Sequence, residues 1–206
     1  MQKKWLSFTL GFLLIGLSAC SKESDQAKTV KDITAPVYTE TIQLHLEARA
    51  AQLKSLLQSP EVVETLTAAD HSDARDKGAN IANYQALDQK MQNNRYASDV
   101  QELLHNRCAR RLKKFQATHP MFAEIFITDL VGMNVCQSNM TSDFYQADEL
   151  WWQKAIRLRE GETLYGAMEY DESANVMAVP IYIPIYRNKV LIGISKSVLE
   201  IQGIAM

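Results

Sequence analysis

Residues 124–138, EIFITDLVGMNVCQS, decide the fold. Upstream of them apolar residues recur at threes and fours; within them the spacing drops to twos. Residues 124–130 and 133–138 therefore read as two strands. Asp129, Leu130, Val131 and Gly132 join them in a tight turn, with glycine where a positive φ is wanted.

The chain before this hairpin is helical in period. In residues 33–59 Ile42, Leu46, Arg49/Ala50, Leu53 and Leu56/Leu57 recur at threes and fours, with Glu47, Arg49, Gln52 and Lys54 on other faces. Ser59-Pro60-Glu61 stops that helix and starts another over 61–69, with proline at a first helical position. A polar loop follows over 70–80, then helix over 81–92. Asp99 and Glu102 have capping-box spacing and open a helix whose stripe is Val100, Leu104, Cys108, Leu112 and Phe115; His119-Pro120 ends it.

After the hairpin, residues 148–159 form a short helix carrying Trp151 and Trp152. Strands are expected over 162–170, 176–186 and 190–199, the last two joined through Arg187-Asn188-Lys189. Pro180 and Pro184 would interrupt a ladder, so that strand is expected to bend or lie near an edge. The sum is α+β: a long N-terminal helix and further helices packed on a five-stranded antiparallel sheet, in one domain over 33–206.

Composition narrows the function classes. The chain has 206 residues, 47% hydrophobic and 22% charged, which excludes wholesale disorder. A net charge of -2 leaves no basic footprint for nucleic acid. Three Cys are too few for a disulfide scaffold. The four His have no metal-ligand spacing, and GxSxG, P-loop and GxGxxG motifs are absent. Asp143, Asp148 and Glu149 cluster, but acidic residues at a helix start are explained by its dipole. The chain is not expected to be an enzyme, to hold a metal or to need a cofactor.

The first residues are an address. Lys3 and Lys4 precede an apolar run over 6–17, the length of a signal peptide core and short of the ~20 residues that span a bilayer. Leu17-Ser18-Ala19-Cys20 resembles the lipobox of bacterial lipoproteins. The resemblance implies removal of residues 1–19, lipidation of Cys20 and, with Ser21 next, the periplasmic side of the outer membrane. Two or three acyl chains anchor a protein stably. Loss of Lys3 and Lys4 takes the side-chain charge from -2 to -4. Residues 20–32 are almost wholly polar and read as a flexible tether. No second apolar run reaches membrane-spanning length.

The whole order resembles the Cache, or PDC, sensor domains, the PAS-like extracytoplasmic modules of bacterial kinases and chemoreceptors. The residues that carry it are Phe126 to Gly132 (FITDLVG), Gln137-Ser138, Thr141 to Trp152, Tyr170-Asp171, Ile181 to Ile185 and Ile192 to Lys196. The resemblance implies a PAS-like sheet and a small polar ligand held on one sheet face, under the aromatic helix and the loop before it. Candidate ligand residues are Tyr145, Glu149, Trp151, Trp152, Tyr165, Tyr170, Asp171 and Lys196. The tyrosines and tryptophans can stack on a ligand and present one polar group each. The amino-acid-binding branch has Arg where this chain has Glu149, and Asp where it has Lys196. With both signs exchanged an α-amino acid meets like charge at each end. An amine held by Glu149, an acid held by Lys196, or an internal Glu149–Lys196 pair are the alternatives.

Two functions fit. One is a lipid-anchored sensing module without its own output domain, acting in trans on a membrane signalling partner. The other is a structural or adaptor lipoprotein that keeps the fold without a ligand. Cys108 and Cys136, exported, are an even pair in an oxidising compartment: either a disulfide across a loop of roughly 29 residues, worth ~3.5 kcal/mol, or two buried thiols.

Overall fold

The computed structural model describes residues 36–69, 81–171 and 176–201, without the side chains of Asp171 and Val176. Cys20, the tether, the loop over 70–80 and most of the turn over 171–175 lie outside the described residues.

The helices are α1 (Glu40–Leu57), α2 (Pro60–Ala68), α3 (Ile81–Asn93), α4 (Ser98–His105), α5 (Arg107–Thr118) and α6 (Leu150–Ala155). The strands are β1 (Phe122–Thr128), β2 (Asn134–Gln137), β3 (Leu164–Tyr165), β4 (Glu169–Asp171), β5 (Val176–Arg187) and β6 (Val190–Glu200). They form one antiparallel sheet in the order β2-β1-β6-β5-β3, with β4 also on β5.

The main core lies between α1, α2 and α5 and one sheet face. The expected α1 stripe is buried, with Ala50 taking the Arg49/Ala50 step: Ile42, Leu46, Ala50, Leu53, Leu56 and Leu57. It meets Ile125 and Ile127 of β1 and the odd residues Val179, Ile181, Ile183 and Ile185 of β5. Thr39 caps α1 by accepting from the Ile42 N–H, and Pro60 starts α2.

The expected helix from Asp99 to His119 is two helices, not one. Asn106 both ends α4 and caps α5: its Oδ1 accepts from Ala109 N–H at 2.8 Å and its Nδ2 donates to Val135 O at 2.8 Å. An amide that satisfies a helix end and a strand carbonyl together favours the break over continuation. The start lies two residues earlier than the spacing suggests, with Ala97 in the cap position and Asp99 accepting from the Val100 N–H. The Cys108–Cys136 pair is a disulfide, so α5 is cross-linked to β2.

β5 lies next to the sheet edge, as expected for a strand with Pro180 and Pro184, and outside it are only the short β3 and β4. Its register explains the tolerance. Gly166 N–H donates to Pro180 O, so residue 180 directs its backbone polar groups toward the β3 side. Residues 182 and 184 point the same way, and Leu164 pairs with Tyr182, so β3 starts short of Pro184. Pro180 sits opposite the interval between β3 and β4. Both missing N–H groups thus face places where the neighbouring strand is interrupted. The same prolines account for the strand expected over 162–170 being two short ones.

Candidate ligand site

The sheet face away from the main core carries a row built by register. Phe126 of β1 is directly opposite Lys196 of β6, which is directly opposite Tyr182 of β5. Three adjacent strands therefore place a phenyl, an ammonium and a phenol side by side. α6 lies across this row. Trp151 stacks on Tyr182 with centroids 4.9 Å apart and planes within 9°, and meets Phe126 edge-on at 6.0 Å. Lys196 Nζ sits 5.3 Å from the Trp151 ring centroid and 5.5 Å from that of Phe126.

Trp152 has a different task. It is 7% exposed, packs with Ala155, Tyr182 and Ile194, and donates from Nε1 to Thr128 Oγ1 at 2.9 Å. Adjacent helical positions point about 100° apart. Trp152 fastens α6 to β1 while Trp151 forms the wall of the row.

The loop into α6 is held by the β1–β2 turn. Asp129 is buried and its Oδ1 accepts from the N–H groups of Val131, Gly132 and Met133 at 3.0, 2.9 and 2.9 Å. Gly132 has φ +94, and a Cβ there would lie 2.6 Å from the Ala147 Cβ. Its carbonyl accepts from Gln146 N–H at 2.8 Å, which sets where the loop turns into the helix. From α3, Asp88 Oδ1 accepts from Phe144 N–H at 2.7 Å and Tyr145 N–H at 3.3 Å.

The other candidates divide. Tyr145 is 5% exposed and stacks with Tyr84 at 6.0 Å in a second core cluster with Met91, Val100 and Met133. It supports the loop from a separate cluster and does not join Trp151. Burial raises its pKa, with Asp148 and Tyr84 adding to the shift. Tyr165 pairs with Ile181 and packs on the main core, so it lies on the opposite sheet face. Its pKa is raised by burial and then by Glu47 of α1. Tyr170 is 54% exposed and sits opposite Met177, also away from the row. Asp171 pairs with Val176 on β4. Glu149 is the exposed N-cap residue of α6 and makes no side-chain cap bond. Among the described residues it forms no ion pair with Lys196, so that alternative does not hold.

Phe126, Thr128 and Tyr182 escaped the sequence reading. The signal was present in the alternation: Phe126 and Thr128 share parity on β1. Their match to Lys196 and Tyr182 depends on registers that sequence spacing does not show.

The Tyr182 phenol is pushed well above its ordinary pKa, first by burial, then by Glu169, Glu149 and Tyr38. It remains a hydrogen-bond donor across the physiological range. Tyr38, whose hydroxyl donates to Gly166 O, is pushed up to about 12 by burial, Glu169 and Tyr165. The face thus offers one cation, one durable phenol donor and aromatic walls. Chemically this is a seat for an anion with an apolar body. Among the described residues no cluster of His, Cys, Asp and Glu suits a metal, and no helix is long and apolar enough to cross a membrane.

No family model matches the chain, and no curated protein does. Solved structures do. The extracellular domain of a protein described as a histidine kinase, vpHK1S-Z8, is similar at 12% identity and TM-score 0.47, covering 79% of this chain and 54% of that one. The ligand-binding domain of the Campylobacter jejuni chemoreceptor Tlp3, in complex with 4-methylisoleucine, is similar at 14% identity and TM-score 0.38, covering 79% and 61%. A domain of a sensory box/GGDEF family protein from Vibrio parahaemolyticus gives 11% and 0.43, covering 78% and 55%. The chain spans between 54% and 61% of the length of these structures.

Proposed function

We propose that residues 33–206 are an extracytoplasmic small-ligand-sensing module. It is anchored by lipid at Cys20 to the periplasmic side of the outer membrane and acts in trans on a separate membrane signalling protein. Its ligand is a small organic acid. The carboxylate meets Lys196, the Tyr182 hydroxyl donates to it, and the apolar body lies against Trp151 and Phe126. The observation that carries this is Lys196. Its half-buried ammonium rests over two aromatic rings in the middle of the sheet, and no described carboxylate pairs with it. Glu149 and Glu169, the carboxylates acting on Tyr182, would repel a second acid group, which favours a monocarboxylate.

A second reading rests on the same contact. Trp151 stacked on Tyr182, with Lys196 over the Trp151 ring, also describes a face closed on itself, as an adaptor lipoprotein without a ligand would have.

A thermal-shift screen of the purified full chain against small monocarboxylic acids and amines separates the two. Sensing predicts a saturable rise with an acid, lost in Lys196→Met, since a ligand bound only by the native state stabilises by RT ln(1 + [L]/Kd). A flat response to every acid refutes it. Cys20→Ser tests the anchor: protein that stays in the membrane fraction as a processed form refutes lipidation.

A further inference from the structure

On α5, away from the sheet-face site, a second set of residues has no part in that function. Cys108, Leu112 and Phe115 are its buried stripe. Arg107, Arg110, Arg111 and Lys114 fall at i, i+3, i+4 and i+7, a single face of the helix. With Glu61 of α2 they line a cavity of about 540 Å³.

The charge in this cavity is only half compensated, four cations against two carboxylates. Glu64 pairs with Arg107 at 2.6 Å, and both side chains are more than half exposed. Arg110 donates to the His105 carbonyl, which is neutral. Arg111 and Lys114 form no ion pair among the described residues. Glu61 and Glu64 are thus set against four cations.

Like charges at these spacings weaken a helix, and Arg107 in the first turn opposes the dipole. The helix forms nonetheless, because it is tied from its buried side. The disulfide joins it to β2, and Asn106 caps it while holding Val135 O. The repulsive face is presented on a fixed element, with its ordering already complete.

Guanidinium forks match phosphate oxygens two at a time, and a stripe of them suits several phosphate oxygens together. The cavity is an open groove of about 540 Å³, with room for more than one phosphate group along the stripe. We propose that the α5 face binds a molecule bearing two or more phosphate groups, through Arg107, Arg110, Arg111 and Lys114. This does not depend on what the sheet face binds.

The test is thermal unfolding of the full chain in neutral detergent micelles. Inorganic pyrophosphate is titrated against sodium chloride at matched ionic strength. The expected result is a saturable rise in Tm, on the order of 5–10 °C at a hundredfold excess over Kd. It is abolished in Arg110→Gln/Arg111→Gln, whose circular dichroism is unchanged because removing the repulsion does not harm the helix. A second arm replaces pyrophosphate with cardiolipin, a lipid whose headgroup carries two phosphates, doped into the micelles. A rise there but not with free pyrophosphate assigns the phosphate to a lipid headgroup; the reverse assigns it to a soluble ligand. A rise equal to that of sodium chloride overturns the proposal, since screening alone then explains it. A pyrophosphate response that survives in the double variant overturns it as well.

Discussion

Breaking the Cys108–Cys136 bond should cost this domain a large part of its stability. The two residues are 28 apart in sequence, so the bridge closes a loop of about 29 residues in the unfolded chain. Loop entropy puts that constraint at about 3.5 kcal/mol. A domain of this size has ~5–15 kcal/mol in total, so the bond carries from about a quarter to about two thirds of it. Both sulfurs belong to buried residues, 0% exposed, so reduction must be carried out in the unfolded state. Urea unfolding followed by tryptophan fluorescence, oxidised against reduced, gives the difference directly. With m near ~2 kcal/mol/M the midpoint should fall by ~1.5–2 M, and Tm by ~7–14 °C. The bridge is checked by alkylating the denatured, unreduced chain. Cys20 reacts when it carries no acyl group, so one modified sulfur at most is expected. Two or more modified sulfurs, or a loss below ~1 kcal/mol on reduction, refute the reasoning.

Stability should also fall at alkaline pH through two tyrosines. Tyr38 and Tyr182 have folded-state pKa values above the ordinary 10.0, both raised first by burial. Their contribution is fully present below pH 10, where both states are protonated, and is lost as pH rises through the folded values. Urea midpoints measured from pH 8 to 12 should decline above pH 10, and Tyr38→Phe/Tyr182→Phe should flatten that limb; an unaltered slope in the double variant counts against it. Ser195 and Ser197 of β6 are 1% and 0% exposed on the main-core side, and neither Oγ has a hydrogen-bond partner among the described residues. Removing an unpartnered buried hydroxyl with little change of volume should leave stability unchanged or raise it by up to ~1–3 kcal/mol. A drop above ~1 kcal/mol in Ser197→Ala, read by the same urea titration, shows that the hydroxyl is bonded.

The elements that were legible in the sequence are those whose period is set by one apolar side. The α1 stripe, but for the choice between Arg49 and Ala50, and the turn at Gly132 were read residue for residue, because a helix half in water and a turn needing positive φ each leave a local mark. The break at Asn106 left only a weak one. Its reason is a strand carbonyl 29 residues away in sequence, Val135 O, which no local spacing reveals. The prolines of β5 marked a strand near an edge, and the register adds that they face the interruption in its short neighbours. Of the residues in the aromatic row, Trp151 and Lys196 were named in the sequence from their types. Phe126 and Tyr182 were not, because a core aromatic and a site aromatic look alike until register decides their company. Tyr165 was misassigned by one step of the pleat, which moves a side chain to the other face.

The two readings of the sheet face differ in what Lys196 gains from its position, and the magnitudes separate them. Ordering a lysine side chain costs ~1.5–2 kcal/mol of rotamer freedom. Two cation–π contacts at 5.3 and 5.5 Å, on a half-buried group, return ~0.5–1 kcal/mol each. The sum is near zero, so Lys196 is not a strong plug. If it served only to close the face, a methionine of similar length would pack against Trp151 and Phe126 at least as well. A charge-assisted hydrogen bond to an incoming carboxylate adds ~1.5–3 kcal/mol that no neighbouring side chain supplies. The positive charge is therefore of little use to the fold alone and of clear use to an acid. On this balance Lys196→Met should leave unfolding within ~1 kcal/mol of the parent while removing the response to acids. A destabilisation of more than ~2 kcal/mol would instead make the lysine structural and favour the ligand-free adaptor.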